Sequence, residues 1–176
     1  MTIMSDLKIG DPIAGGYFAG IMNTRLIAGS LDSLEAMNYG LVLRLDEIES
    51  PEPLSWRLNP KVKNSNKCQS IWNGLAVTHS VPYSRNHPAF RHVQSYPHYA
   101  HHEGSSWYLP AIVELEIIYS SGLINKDYWS SSEGFALVSG ERFMVKNLES
   151  KFYVRPVKTL LISTHLIALV DSNYED

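Results

Sequence analysis

The densest set of side chains able to do chemistry is His98, His101, His102 and Glu103, with His87 and His92 close by in the chain. Imidazole and carboxylate are metal-ligand types, and His98 and His102 have the i, i+4 spacing that shares one face of a helix. Pro97 and Gly104 flank the segment, Tyr99 and Ala100 interrupt it, and no second ligand set has recognisable spacing. The expectation is therefore no metal, but a solvent-facing or interface loop that gains charge near about pH 6. Ser105-Ser106 and Ser130-Ser131-Ser132 are candidate nucleophiles, yet no GxSxG elbow accompanies them. Gly10, Gly15, Gly16 and Gly20 have neither P-loop nor dinucleotide spacing. Asp127 and Glu133 are too few and too far apart in sequence for a hard-cation site, which needs several convergent oxygens. Cys68 is the only cysteine, which excludes an intrachain disulfide and any CxxC metal or redox pair. These residues point away from catalysis: no catalytic residue and no cofactor are expected.

What must position these groups is a chain of 176 residues, 44% hydrophobic and 19% charged, long enough to build a core without staples. Aromatics reach 11%, a composition that suits a β-rich core and an interaction surface alike. The formal charge is -3, and the densest basic patch, Lys61 and Lys63 with Lys67, is short. Nucleic acid, which normally needs a concentrated cationic face, is not an expected partner. Met1 to Asp11 lacks the basic start and apolar run of a signal peptide. The longest apolar stretch, Leu160 to Val170, is interrupted by Ser163, Thr164 and His165 and is too short to span a bilayer. A soluble product is expected, without membrane insertion, and release by lysis inside a virus particle is one route by which it could act outside a cell.

Along the chain, Gly10-Asp11-Pro12 and Gly15-Gly16 punctuate a short strand at Tyr17 to Met22. Leu41 to Leu45 reads as a second strand, with Tyr39-Gly40 as its turn. Glu49 to Asn66 carries three prolines and reads as loop. Pro88 to Tyr96 fits a short helix with proline at its first position. The clearest helix follows Trp107-Tyr108-Leu109-Pro110: Ile112, Leu115, Ile118 and Tyr119 share a face, and Gly122 is its stop. Beyond it, Tyr128 to Ser132, Phe135 to Val138, Arg142 to Val145 and Phe152 to Arg155 read as strands of an antiparallel sheet, alternating with polar turns such as Ser139-Gly140 and Asn147. The fold class is α+β, mainly short antiparallel strands with about two helices.

Three islands, taken together, resemble one family. They are Ser105-Ser106-Trp107-Tyr108-Leu109-Pro110 with Glu114-Leu115 and Tyr119, then Tyr128-Trp129-Ser130-Ser131-Ser132-Glu133, then Tyr153-Val154-Arg155-Pro156-Val157. Their order and composition are similar to the Lcl C-terminal domain family, grouped with C-type-lectin-like and sulfatase-modifying-factor-like folds. Upstream, Ile9-Gly10-Asp11, Gly15 to Ile21 and Trp72 to Ala76 resemble openings common in phage-encoded members. The resemblance implies a single C-type-lectin-like domain over residues 1–176, with a family-like core at about 9–157 and an apolar extension at 158–176. The related formylglycine-generating enzymes use cysteine chemistry, and Cys68 lies outside any matching motif. Relatives often carry a small capping residue where this chain has Ala111, so the helix is expected to start without a side-chain cap.

The function so implied is that of a non-enzymatic phage virion structural protein. It would be a tail-fibre or receptor-binding tip, or a decoration subunit on capsid or tail, located in the virion and assembled in the host cytoplasm. The alternative is a bacterial surface or secreted polysaccharide-binding adhesin. Expected partners are other virion proteins, further copies of the chain, and a host-surface glycan or protein. The binding surface is expected on the irregular region Trp72 to Gly104, at Tyr83, His87, Tyr96, His98, Tyr99, His101 and His102, because lectin-like folds present function on long loops. Trp107, Tyr108, Pro110, Glu114, Trp129 and Arg155 are expected to be structural, with Arg155 paired to the helix or to Glu133. Leu160, Leu161, Ile162, Leu166 and Ile167 are expected at an oligomer interface, as an exposed strand beyond the core.

Overall fold

The computed structural model describes residues 7–13, 15–23, 38–43, 49–59, 70–95 and 107–162. Tyr96, His98, Tyr99, His101, His102, Leu166 and Ile167, as well as Cys68, lie outside the described residues. The elements in chain order are β1 (Pro12–Ile13), β2 (Gly16–Asn23), β3 (Asn38–Leu43), β4 (Leu54–Ser55), α1 (Gly74–Ser80), α2 (Pro88–Gln94) and α3 (Ile112–Ser120). They continue as β5 (Tyr128–Trp129), β6 (Phe135–Val138), β7 (Glu141–Met144), β8 (Lys151–Phe152) and β9 (Val157–Ile162). The architecture is α+β, with antiparallel pairing throughout these strands.

The four strands β1-β2-β3-β9 form one sheet, in that order. Period-2 alternation sorts β3: Leu41 and Leu43 enter the core cluster that includes α3, while Val42 packs with Trp107. A register shift between Phe18 and Gly20 marks a bulge in β2. Gly20, at φ 148, meets α3 there so closely that an added Cβ would come within 2.6 Å of the Ile117 side chain. Helix α3 presents Ile112, Leu115 and Ile118 to this sheet, and Gly122 follows it at φ 77.

The strand-rich last third does not make one sheet. Strands β5, β6 and β7 form a three-stranded sheet, β8 pairs with β4, and β9 pairs with β3 along its whole length from Leu43↔Val157 to Asn38↔Ile162. Two sequence expectations are corrected by this. Tyr39-Gly40 is not a turn but the middle of β3, and Leu160, Leu161 and Ile162 belong to the main sheet, not to an extension outside the core. The sequence reading missed this because a pairing between strands more than a hundred residues apart leaves no local period to read. The β6–β7 hairpin does turn where the sequence placed it: Ser139 and Gly140 have φ 52 and 82, the successive positive values of a type I′ turn.

A second core gathers around Trp56 and Trp129, both fully buried, with Val77 of α1, Ala89, Phe90 and Val93 of α2, and Leu109. The two indoles tie distant segments reciprocally: Trp56 Nε1 donates to the Ser130 carbonyl at 2.9 Å, and Trp129 Nε1 donates to the Leu54 carbonyl at 2.8 Å. Trp129 also meets Phe152 edge to face, with centroids 4.8 Å apart. Trp107, Tyr108 and Leu109 behave as a strand entering α3, sending three successive side chains to three different clusters. Tyr108 closes the start of β9 through paired backbone bonds with Val157 at 2.8 and 3.0 Å.

Candidate functional site

Three polar constellations are positioned by this scaffold. The first centres on Glu114 in the first turn of α3, fully buried where the expected structural role placed it. Its Oε1 accepts from the Tyr108 hydroxyl at 2.8 Å, and its Oε2 accepts from the backbone N–H of Ala111 at 2.6 Å and of Gly74 at 3.2 Å. One carboxylate thus joins the starts of two helices to the strand before α3, using backbone donors that a helix leaves orphaned. Gly74 is needed at this junction, since a Cβ there would lie 2.5 Å from the Leu109 carbonyl oxygen and from the Ala111 nitrogen. Burial pushes the Glu114 carboxyl up to about 7 against the pull of its donors, and burial beside Glu114 raises the Tyr108 phenol well above its usual range.

Around this hub the serine run is scaffold. Ala111 gives α3 no side-chain cap, as expected, but Ser132 Oγ accepts from the Ile112 N–H at 3.1 Å and donates to the Ser70 carbonyl at 2.9 Å. Ser130 Oγ donates to the Phe135 carbonyl at 2.7 Å, and the buried Ser131 hydroxyl has no hydrogen-bond partner among the described residues. A cap supplied from twenty residues downstream has no local sequence signature.

The second constellation is the region where binding was expected. Helix α1 is capped by Asn73, whose side chain accepts from the Ala76 N–H at 2.9 Å, and α2 starts on Pro88. Gln94 of α2 donates to the carbonyls of Thr78 and Val81, which locks the two helices together. His87 does not face solvent; this corrects the sequence expectation. It is buried edge-on against Trp56 and Phe90, with centroids 6.0 and 6.2 Å apart. Burial first, and the Arg57 charge second, hold its imidazole below the usual range, so it is neutral at pH 7. Tyr83 is where the expectation placed it, 61% exposed, with the Arg91 guanidinium 5.7 Å from its ring centre and Arg91 Nε 3.4 Å from its hydroxyl. Leu58, half exposed, is brought to the same turn by its N–H, which donates to the Asn86 carbonyl at 2.9 Å.

A sequence signal for this surface went unread. From Pro53 to His102 the chain has six Lys or Arg and no acidic residue, although it carries eighteen acids elsewhere. Counting clustered runs misses such a bias, because the six cations are dispersed; counting absent acids finds it. Among the described residues of this segment His79, Arg85 and Arg91 are exposed, whereas Arg57 is mostly buried and pairs with Glu133 at 3.4 Å.

The third constellation was not foreseen. Arg155 is buried, and among the described residues the carboxylate it meets is that of Glu49, not Glu133 or one on the helix. The Glu49 carboxylate takes Arg155 Nη2 and the Tyr128 hydroxyl, the latter at 2.9 Å, on Oε2, and Lys126 Nζ on Oε1. Burial works to raise the Glu49 carboxyl, but the bonds from Lys126 and Tyr128 with the two cationic charges outweigh it, and the group stays below its usual range. Burial and the Glu49 contact push the Tyr128 phenol up to about 12. The pairing spans more than a hundred residues, so no spacing rule could reveal it.

Compared with family models, curated proteins and solved structures, the chain matches none of the three. No helix among the described residues is long and apolar enough to cross a membrane.

Proposed function

We propose that the chain is a non-enzymatic binding module of C-type-lectin-like fold, serving as a phage virion structural protein at a tail-fibre tip or as a decoration subunit. The observation that carries the binding reading is the exposed Tyr83 ring held against Arg91 on a short, well-anchored helix pair within an acid-free segment. An aromatic face beside a guanidinium offers contact area at low entropic cost together with directional donors. The helices behind it bury Val77, Ala89, Phe90 and Val93, so the surface is presented by packed elements and not by an unsupported loop. Buried polar groups elsewhere are engaged in holding segments together, as Glu114 and Ser132 illustrate. The virion assignment is supported by the sequence resemblance to phage-encoded members of the Lcl C-terminal domain family.

The test has two arms. Gold-labelled antibody on intact particles should decorate the virion at a repeated position; absence of the chain from purified particles overturns the virion assignment. Tyr83→Ala with Arg91→Ala should reduce host attachment or particle docking by about tenfold while the melting temperature stays within a few degrees. A stable double variant that attaches and docks normally would remove Tyr83 and Arg91 from the recognition surface.

A further inference from the structure

The sheet β5-β6-β7 has two edges of different character. The β5 edge is closed by Tyr153, whose carbonyl accepts from the Trp129 N–H at 2.9 Å and whose N–H donates to the Asp127 carbonyl at 3.0 Å. The β7 edge meets no further strand among the described residues. The Val145 N–H donates inward to the Gly134 carbonyl at 2.8 Å, and the ladder sets Phe143 against Ala136 and Glu141 against Val138. By the two-residue repeat of a strand, the N–H and C=O groups of Glu141 and Phe143 also face β6, and those of Arg142 and Met144 face away from it. Among the described residues these outward groups have no backbone partner.

Proteins ordinarily blunt such an edge with charge, proline, a bulge or a covering segment. Arg142, the cation of β7, is drawn to α3 by a bidentate pair with Glu116, both bonds at 2.9 Å. Phe143 and Met144 follow it, 52% and 66% exposed on opposite faces of the strand. All four residues of β7 are exposed. A strand with free backbone groups and exposed apolar side chains is a template for another strand.

Charge selects which strand fits. Glu141 stands at one end of β7 and Lys146 just beyond the other, both exposed, and neither forms an ion pair among the described residues. A parallel copy of β7 would set Glu141 beside Glu141 and Lys146 beside Lys146. An antiparallel copy sets each Glu141 opposite Val145 of the other strand, next to its Lys146, and symmetry repeats the contact. The register that uses every outward group bonds Arg142 of each copy to Met144 of the other. Phe143 then meets Phe143 on the axis as a non-hydrogen-bonded pair, where cross-strand side chains lie closest.

We propose that β7 is a self-association edge, at which two copies of this chain pair antiparallel about a two-fold axis at Phe143 and join their sheets into one. The interface is isologous, so both copies contribute the same residues. It is also small, which makes the dimer weak and dependent on concentration. It shares no residue with the Tyr83 surface, so the two proposals stand or fall separately.

The experiment is sedimentation of the full chain from about 1 µM to about 1 mM, with amide hydrogen exchange at both ends of that range. The wild type should pass from monomer to dimer as concentration rises. The Arg142 and Met144 amides, open in the monomer, should become protected at the upper end. A chain that stays monomeric, or a dimer in which these two amides stay unprotected, overturns the proposal. Phe143→Lys, at an exposed side chain, should weaken the dimer about tenfold with the melting temperature unchanged. A stable Phe143→Lys variant that dimerises like the wild type overturns it too. Charge exchange tests the register: Glu141→Lys and Lys146→Glu should each weaken association about fivefold, because like charges then meet twice. An equimolar mixture of these two variants should recover it, since every facing pair is again of opposite sign. Unchanged association in the single variants, or no recovery in the mixture, overturns the antiparallel self-pairing. Should Phe143→Lys fail to fold, the exchange data and the mixture decide the matter.

Discussion

At the scale of single residues, Glu114 is the position where protonation and folding are most directly linked. Its carboxyl titrates near 7 in the folded chain against an ordinary value of 4.5, so between those limits the folded state holds more protons than the unfolded one. The Glu114 contribution to stability is therefore present below about pH 4.5, declines as pH rises, and is lost above about 7. The difference amounts to about 3 kcal/mol at most. His87 and Glu49, both held below their ordinary values, act with the opposite sign, gaining stability as pH rises, so the wild-type profile alone is a composite. Glu114→Gln separates the terms. Its amide oxygen can accept from Gly74 and Ala111 while its NH₂ donates to Tyr108, the pattern of the protonated acid. Urea unfolding of the two proteins should agree near pH 4.5, and the variant should gain on the wild type steadily up to pH 7. A difference that stays constant with pH would show that Glu114 does not titrate in this window.

At the scale of elements, helix α3 depends on an acceptor from another part of the chain. Ser132→Ala removes the bond to the Ile112 N–H and the bond to Ser70, and should cost about 0.5–2 kcal/mol, as loss of a cap does. Ser131→Ala, at an adjacent and equally buried hydroxyl with no partner among the described residues, should change stability by far less. Chemical denaturation of the two variants checks the contrast, and equal losses would mean that burial, and not capping, sets the cost. Helix α3 itself was readable from Ile112, Leu115 and Ile118 recurring on one face and from Gly122 at its end. Helix α1 was not read. Asn73 is its cap, but it is short, and Gly74 at its first position argues locally against a helix. The Gly74 junction with Glu114 and Leu109 overrides that local preference.

At the scale of the whole molecule, β9 decides how the C-terminal part behaves. Ending the chain after Lys158 deletes four of the six residues that pair with β3, so it should abolish cooperative unfolding or lower the melting temperature strongly, not merely alter assembly. Ending it after Ile162 leaves the four-stranded sheet whole and isolates the contribution of Leu166 and Ile167 to self-association. Light scattering and thermal unfolding of both truncations distinguish these effects; a folded, stable product ending at Lys158 would contradict the role given to β9. The sequence by itself determined what rests on local periodicity and local turn chemistry. That includes the α+β class, α3, the Ser139-Gly140 turn, and the burial of Trp107 and Trp129, because those patterns lie within a few neighbouring residues. Only the tertiary structure decided which strands share a sheet, that His87 is core while Tyr83 is surface, and that Arg155 and Lys126 meet at Glu49. Those pairings join residues tens to a hundred positions apart, and strand order and ion pairing over such separations are set by packing of the whole chain, which leaves no period in the sequence to read.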